Sequence, residues 1–296
     1  MTSVLGRDEP EGSSAVMPSG PAPVRRGYED ISLGQVHYRE AGAGSPVVMF
    51  HRTPSNSAMF ERVMPLLGEH HRVLALDTPG FGMSDSLPEP PGETMKPYVD
   101  AAVEFLDAKG IGPATVVGHS TGGSIAMHLA ADHPERVNGL VIASFTGPST
   151  QEEVDELFAV LHDGISSNWG DPIDLDGSGD FLEAYPVSQL RALLSEFEDP
   201  EHFIQEMIAH LQGLPNYHWP FQAVLALPGP IARFPEITCP VLFINAESGI
   251  GYPFAKRAQG RFPGSGYVEV AGTSEYPMQN PQGFAEAVHS FMEEAI

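Results

Sequence analysis

Positive charge, cysteine and long apolar runs are all scarce in this chain. It carries 15 lysine and arginine residues against 39 aspartate and glutamate residues, a formal net charge of −24 at pH 7. Proteins that bind nucleic acid need a basic surface, so we expect no nucleic-acid partner. The single cysteine, Cys239, excludes an intrachain disulfide and a cysteine-based metal cluster. No apolar run approaches the roughly 18 residues of a membrane span, so we expect no membrane association.

The N-terminal residues 1–27 are rich in glycine, proline and serine, a composition that predicts a flexible tail. They lack the basic segment followed by an apolar run that marks a secretory signal, and we expect a cytoplasmic protein. His, Asp and Glu residues do not fall at metal-ligand spacing on any predicted element, so we expect no metal and no other cofactor. The expected partner is a small-molecule substrate or ligand, and the sequence leaves open whether the chain forms a homo-oligomer.

Short apolar runs alternate with helical patterns along the rest of the chain. The runs "SPVVMF", "RVLALD", "ATVVG" and "VNGLVIAS" have the composition of buried strands, and amphipathic segments separate them. This alternation predicts an α/β fold, with a mostly parallel central sheet and helices on both faces. Residues 148–235 break the pattern, because they are helical and acidic and contain no strand run. We therefore predict a core of residues 28–147 and 236–296, interrupted by a helical insertion.

The stretch "VVGHSTGGSIAMHLA", from Val116 to Ala130, predicts a strand, a sharp turn and a helix, with Ser120 at the turn. Gly118 to Gly122 match G-x-S-x-G, the nucleophile-elbow pattern, in which glycines make room for a strained turn. Together with the upstream segments "VVMFHRTPSNSAMF" and "HRVLALDTPGFGMSD", this motif resembles the α/β-hydrolase superfamily, in its branch with a helical lid. The resemblance implies an α/β-hydrolase fold for the chain that follows the tail, with the insertion as the lid.

The resemblance also assigns catalytic roles, and two of the expected positions carry residues that cannot fill them. Ser120 would attack the substrate, a histidine would take its proton, and a carboxylate would orient the histidine. The position of the family's acid is Gly249 and the position of its histidine is Thr273, so the catalytic triad is degenerate. The candidate replacement bases are His218, in the insertion, and Glu275, two residues after Thr273.

The oxyanion hole and the pocket are expected around the end of the "VVMF" strand. The resemblance places the two backbone N–H donors at Thr121 and Thr53, and it puts Arg52 where the family has glycine. The Arg52 guanidinium would hold a carboxylate, an enolate or a carbonyl oxygen, or else it would face solvent or pair with a surface acid. The aromatic side chains expected to line the substrate pocket are His51, His119 and Trp219.

Three functions are compatible with these residues. The first is a hydrolase of small apolar esters, lactones or C–C bonds that uses Ser120 with a non-standard base. The second is a lyase, cyclase or isomerase of a small natural product that forms no acyl-enzyme, and the third is an inactive ligand-binding homologue. The missing histidine weakens the first, because its loss costs orders of magnitude in rate. The intact elbow weakens the third, because a pocket that only binds has no use for a strained serine, so we expect an enzyme and favour the hydrolase.

Overall fold

The computed structural model of the protein describes residues 21–145, 147–162, 199–249 and 252–296. Within them, eight strands form one sheet: β1 (Arg25–Ile31), β2 (Gly34–Ala41), β3 (Ser45–Phe50), β4 (His71–Leu76), β5 (Ala114–His119), β6 (Val137–Ala143), β7 (Val241–Ala246) and β8 (Gly266–Val270). Their spatial order is β1-β2-β4-β3-β5-β6-β7-β8. β2 pairs antiparallel with β1 and β4, and the remaining neighbours pair in parallel.

The α-helices of the described chain follow or separate these strands. They are α1 (Met64–Leu67), α2 (Lys96–Ala108), α3 (Thr121–Asp132), α4 (Gln151–His162), α5 (Pro200–Gly213), α6 (His218–Leu225), α7 (Tyr252–Gly260), α8 (Tyr276–Gln279) and α9 (Pro281–Ala295). No described helix is long and apolar enough to cross a lipid bilayer.

Helices cover both faces of the sheet. Successive side chains of a strand point to opposite faces, so each strand contributes apolar residues to both layers. In β3, Val48 and Phe50 belong to a hydrophobic cluster with residues of α2 and α3. The alternate residues Val47 and Met49 belong to a second cluster with residues of α1 and α9. All four side chains are buried, which explains why the strand reads as one continuous apolar run. The expected α/β-hydrolase fold, with its mostly parallel sheet, is confirmed.

The first strand begins earlier than the sequence predicts. β1 starts at Arg25, so the last three residues assigned to the flexible tail belong to the sheet, and residues 1–20 of that tail lie outside the described residues. Arg25 is the register partner of Glu40 in β2, an opposite-charge pair of the kind that stabilises an exposed edge. Charged residues on this edge strand hide it from a search for apolar runs.

The described part of the predicted insertion is helical. It contains α4, α5, α6 and short 3₁₀ segments, and residues 148–162 and 199–235 include no strand. Residues 163–198 of the insertion lie outside the described residues. The strand β7 resumes the sheet after the insertion, as the "CPVLFIN" run predicts.

Three histidines meet where β4 begins, on the side of the sheet that α9 covers. His71 is buried, and its Nε2 lies 2.9 Å from Nδ1 of His289 on α9. His70 stacks on His289 with ring centroids 4.6 Å apart. Burial lowers the pKa of His71, and the neighbouring imidazoles of His289 and His70 lower it further, while Glu293 opposes them. His71 is therefore neutral in the folded protein near neutral pH.

We expect this cluster to make the fold sensitive to acid. Unfolded histidine has a pKa of about 6.5, so below that pH the unfolded chain binds a proton that folded His71 does not. The contribution of His71 to the free energy of unfolding is therefore complete above pH 6.5. It falls as the pH drops below that value, by up to about 1.4 kcal/mol per pH unit for one histidine. Urea unfolding at pH 7.5, 6.5 and 5.5 should show a smaller pH dependence for His71→Gln than for the wild type. His133→Gln, outside the cluster, is the control, and an unchanged slope in His71→Gln would contradict the prediction.

Candidate active site

Ser120 stands at a strained turn between β5 and α3. Its backbone has φ 52° and ψ −114°, a conformation that non-glycine residues rarely adopt. The surrounding structure holds the turn in place, because Ser120 N donates a 2.8 Å hydrogen bond to the carbonyl oxygen of Ala143, and Gly123 N donates one of 2.8 Å to the carbonyl of Ser120. Strain of this kind persists where the fold over-determines a residue, and it is commonest at functional sites.

Two glycines of the motif are required by packing rather than by their own dihedral angles. A Cβ at Gly118 would overlap the carbonyl oxygen of Gly122, and a Cβ at Gly122 would overlap the carbonyl oxygen of Phe50, at the end of β3. The turn therefore brings the serine against the loop that follows β3. The strand, turn and helix that the sequence predicts around Ser120 are all present.

The loop after β3 contacts the elbow through a threonine pair. Thr53 N donates a 2.7 Å hydrogen bond to Oγ1 of Thr121, and that hydroxyl in turn donates a 3.0 Å bond to Oγ1 of Thr53. Both residues are buried, and the Thr53–Pro54 peptide bond is cis. The N–H group that the resemblance assigns to the oxyanion hole thus points at a side chain of the protein itself.

Arg52 joins two buried glutamates instead of facing solvent. Its Nη2 lies 2.8 Å from Oε2 of Glu206, on α5, and 2.9 Å from Oε1 of Glu275, after β8. Glu206 and Glu275 are only 3% and 2% exposed. Ser55 Oγ donates a 2.7 Å hydrogen bond to Oε1 of Glu206. Of the roles expected for Arg52, pairing with acids is the observed one, but the acids are in the interior rather than on the surface.

Glu206 is a site residue that the sequence does not reveal. It lies on an amphipathic helix, where a charged residue normally faces solvent. The helix α5 presents its polar side inward, with Glu206 and His210 buried, and leaves Ile204, Ile208 and Leu211 exposed. His210 Nδ1 donates to the backbone oxygen of Glu206 at 2.8 Å, and burial together with the Arg52 charge lowers its pKa to about 4.

The two positions that the resemblance assigns to the triad, Gly249 and Thr273, lie in neighbouring loops. A Cβ at Gly249 would be 3.5 Å from Ser274 Oγ, so the position predicted for the acid faces the loop that carries the position predicted for the histidine. In that loop, Thr273 N donates a 2.8 Å hydrogen bond to Oε1 of Gln279, and Glu275 N donates one of 3.2 Å to Thr273 Oγ1.

His51 and His119 lie in the interior and hydrogen-bond to the backbone, whereas the sequence predicts that they line a pocket. His51 Nδ1 donates to the backbone oxygen of Arg52 at 2.8 Å, and its Nε2 accepts from Thr78 N at 2.9 Å, so the neutral ring joins two loops. His119 Nε2 donates to the backbone oxygen of Ser274 at 3.1 Å. Burial, with a smaller contribution from the Arg52 charge, lowers the pKa of His119 to about 3. Both rings are almost fully buried, and both stabilise the backbone around Ser120.

His218 and Trp219 lie at the start of α6. The His218 ring is buried, with the rings of Tyr217 and Trp219 centred 5.9 Å and 6.1 Å away, and Trp219 is half-buried against the core. Just before them, Asn216 Nδ2 donates to Ser86 Oγ at 2.9 Å, which fixes this segment against the loop after β4. The described ranges contain no group of three or more side chains that would hold a metal ion.

We expect the Arg52 ion pairs to be a strong determinant of stability. Arg52→Met keeps an apolar stem but leaves two interior carboxylates without their guanidinium, a change that costs about 3–5 kcal/mol in comparable sites. The matched control is Arg62→Met, because Arg62 and Asp199 form a 2.6 Å pair with side chains 48% and 40% exposed. Such a surface pair contributes less than about 1 kcal/mol. Urea unfolding at pH 7 measures both, and equal losses would contradict the interior role of Arg52.

Comparison with known proteins gives one consistent result. A family model described as alpha/beta hydrolase fold matches residues 45–168. The chain is 32% identical over 210 residues to 2-hydroxymuconate semialdehyde hydrolase of Pseudomonas sp. (strain CF600), covering 68% of this chain and 66% of that protein. It is 35% identical over 123 residues to cis-3-alkyl-4-alkyloxetan-2-one decarboxylase of Shewanella oneidensis, covering 40% of this chain and 38% of that one. The chain therefore spans less than two thirds of the length of either relative.

Solved structures agree on the fold. A thermophilic esterase from Thermogutta terrifontis, solved with malate bound, matches with a TM-score of 0.69 at 20% identity. The match covers 92% of this chain and 99% of the esterase. At this identity the likeness concerns the fold alone.

Proposed function

Because the chain belongs to the α/β-hydrolase superfamily, we propose that it is a hydrolase-type enzyme acting on small carbonyl compounds through Ser120. The proposed substrates are small apolar esters, lactones or compounds with a C–C bond next to a carbonyl group. The observation that carries the proposal is the conformation of Ser120, at φ 52° and ψ −114° in a turn whose glycines have no room for side chains. A strained serine of this kind has a chemical use in acyl transfer and none in simple binding.

In the proposed reaction, Ser120 Oγ attacks the carbonyl carbon and the Thr121 N–H stabilises the oxyanion that forms. Glu275 is the first candidate for the base, because its loop hydrogen-bonds to His119, beside Ser120, and its carboxylate pairs with Arg52 of the loop after β3. A carboxylate paired with a guanidinium is a weak proton acceptor. His218 is the second candidate, from the insertion. We expect turnover far below that of a complete triad in either case.

We also propose that the insertion acts as the lid. Glu206 of α5 reaches Arg52 and Ser55, which lie in the loop after β3. Farther along, a Cβ at Gly213 would be 3.1 Å from the backbone oxygen of Pro54 in the same loop. Contacts of this density between the insertion and the predicted oxyanion loop are what a cover over Ser120 would make.

A non-hydrolytic lyase, cyclase or isomerase is the second candidate function. The observation in its favour is the combination of a degenerate triad with a guanidinium and two carboxylates in the interior of the site. Charged groups of this kind polarise a substrate and move protons without an acyl-enzyme. The similarity to a protein named as a decarboxylase agrees with such chemistry on this fold.

We expect Ser120 to react covalently with an activated phosphonate. A fluorophosphonate probe should label the wild type once per chain, detected by intact mass, and should not label Ser120→Ala. Ser144→Ala is the matched control, because Ser144 also has a positive φ, of 48°, at the end of β6. Hydrolysis of p-nitrophenyl acetate and butyrate should disappear with Ser120 and survive in the control.

The same assay locates the base and separates the candidate functions. A loss of labelling rate in Glu275→Gln but not in His218→Gln assigns the proton to Glu275, and the reverse result assigns it to His218. No labelling of the wild type would exclude the serine mechanism in favour of chemistry without an acyl-enzyme. A ligand that raises the Tm but is never converted would instead indicate an inactive binding protein.

We expect a rebuilt triad to increase activity. In Gly249→Asp/Thr273→His, the new carboxylate would face the loop that carries the new imidazole, since the Cβ position at 249 lies 3.5 Å from Ser274 Oγ. General-base catalysis by a positioned histidine contributes about 10²–10⁴-fold, and a gain of at least tenfold in p-nitrophenyl butyrate hydrolysis is expected. The single variants are the controls. A folded double variant without any gain would mean that Ser120 lacks more than a base.

A further inference from the structure

The side chain of Thr121 is hydrogen-bonded to the backbone N–H of Thr53, and the resemblance assigns both residues to the oxyanion hole. In such sites the two donors are the backbone N–H of the residue after the nucleophile and an N–H of the loop after β3. Here those residues are Thr121 and Thr53. Thr53 N lies 2.7 Å from Oγ1 of Thr121, within normal hydrogen-bond distance. The loop donor is therefore engaged by a side chain of the protein itself.

We propose that the Thr121 hydroxyl is an internal ligand of the oxyanion hole, which a substrate oxygen must displace before Thr53 N–H can stabilise it. This inference rests on the proposed function of Ser120. The hydroxyl occupies the place where the carbonyl oxygen would accept the Thr53 hydrogen bond. Thr121 therefore determines which substrates react, in addition to supplying its own backbone N–H.

Two features hold the hydroxyl in place. Oγ1 of Thr121 accepts from Thr53 N and also donates to Oγ1 of Thr53 at 3.0 Å, so one residue engages both the donor and one acceptor site of this hydroxyl. Threonine is branched at Cβ and has few χ1 rotamers, which restricts its escape from the hole. Both residues are buried, at 3% and 5% exposure, so water does not compete for these bonds.

The consequence is a preference for strongly accepting oxygens. An oxygen that carries substantial negative charge, in the transition state or in an enolate-like substrate, forms a stronger bond to Thr53 N–H than a neutral hydroxyl does. A weakly polarised ester carbonyl gains little from the exchange. The internal ligand thus disfavours ordinary esters relative to compounds whose oxygen develops charge early in the reaction.

Three substitutions at one position separate this role from simple packing. Thr121→Ala removes the hydroxyl and frees Thr53 N–H, and the fluorophosphonate labelling rate should rise about 3–10-fold, the equivalent of one net hydrogen bond. Thr121→Ser keeps the hydroxyl but lacks the Cβ branch that restricts its escape, and should label at a rate between those of the wild type and Thr121→Ala. Thr121→Val replaces the hydroxyl with a methyl group of similar size, which blocks the hole without accepting the bond, and should not label faster than the wild type.

A second measurement does not depend on reactivity. Amide hydrogen exchange of Thr53, followed by NMR, should be slow in the wild type and in Thr121→Ser, and faster in Thr121→Ala. Circular dichroism of each variant checks that it is folded. If the wild type is labelled but Thr121→Ala is labelled no faster, the inference is wrong while the proposed function stands. If no variant is labelled, the proposed function fails, and the exchange rate of Thr53 then decides alone: unchanged protection in Thr121→Ala overturns the internal hydrogen bond.

Discussion

One guanidinium connects three segments that are far apart in the sequence. Arg52 belongs to the loop after β3, Glu206 to the insertion, and Glu275 to the loop after β8. A charge that is removed from water costs several kcal/mol unless a partner compensates it, so these ion pairs help each of the three side chains to be tolerated in the interior. The positions of the three segments are therefore interdependent. The glycine that the family has at position 52 would leave the two carboxylates without this partner.

The ion pairs also account for the orientation of α5. Burial of apolar residues normally decides which face of an amphipathic helix turns inward. In α5 the carboxylate of Glu206 lies inside, with hydrogen bonds to Arg52 and Ser55, while Ile204 and Ile208 are exposed. Satisfying the charge of Arg52 has outweighed the burial of those two apolar side chains. The face of α5 that turns inward is thus determined by the ion pair with Arg52 and not by the apolar pattern of the helix.

The parts of the structure that local patterns encode were predictable, and those that depend on distant partners were not. The turn at Ser120 follows from glycines within a few residues, and the sheet follows from apolar runs in β3 to β7. The partner of Arg52, in contrast, lies 154 residues away at Glu206, on a helix whose pattern predicts the opposite face inward. The triad positions assigned by resemblance, Gly249 and Thr273, stay a prediction, and the ion-pair cluster of Arg52 has no signal in a single sequence.

Several polar groups of the site already have partners within the protein. Thr53 N–H is bound by Thr121, Arg52 by two glutamates, and His119 by the backbone of Ser274. A ligand must therefore exchange one hydrogen bond for another, and its net gain is only the difference between them. That difference is small for the neutral oxygen of a bound substrate and large for an oxygen that acquires charge in the transition state. Under this condition, binding energy lowers the activation barrier instead of tightening substrate binding. For the proposed function, we therefore expect such a site to favour reactive carbonyl compounds over ordinary esters.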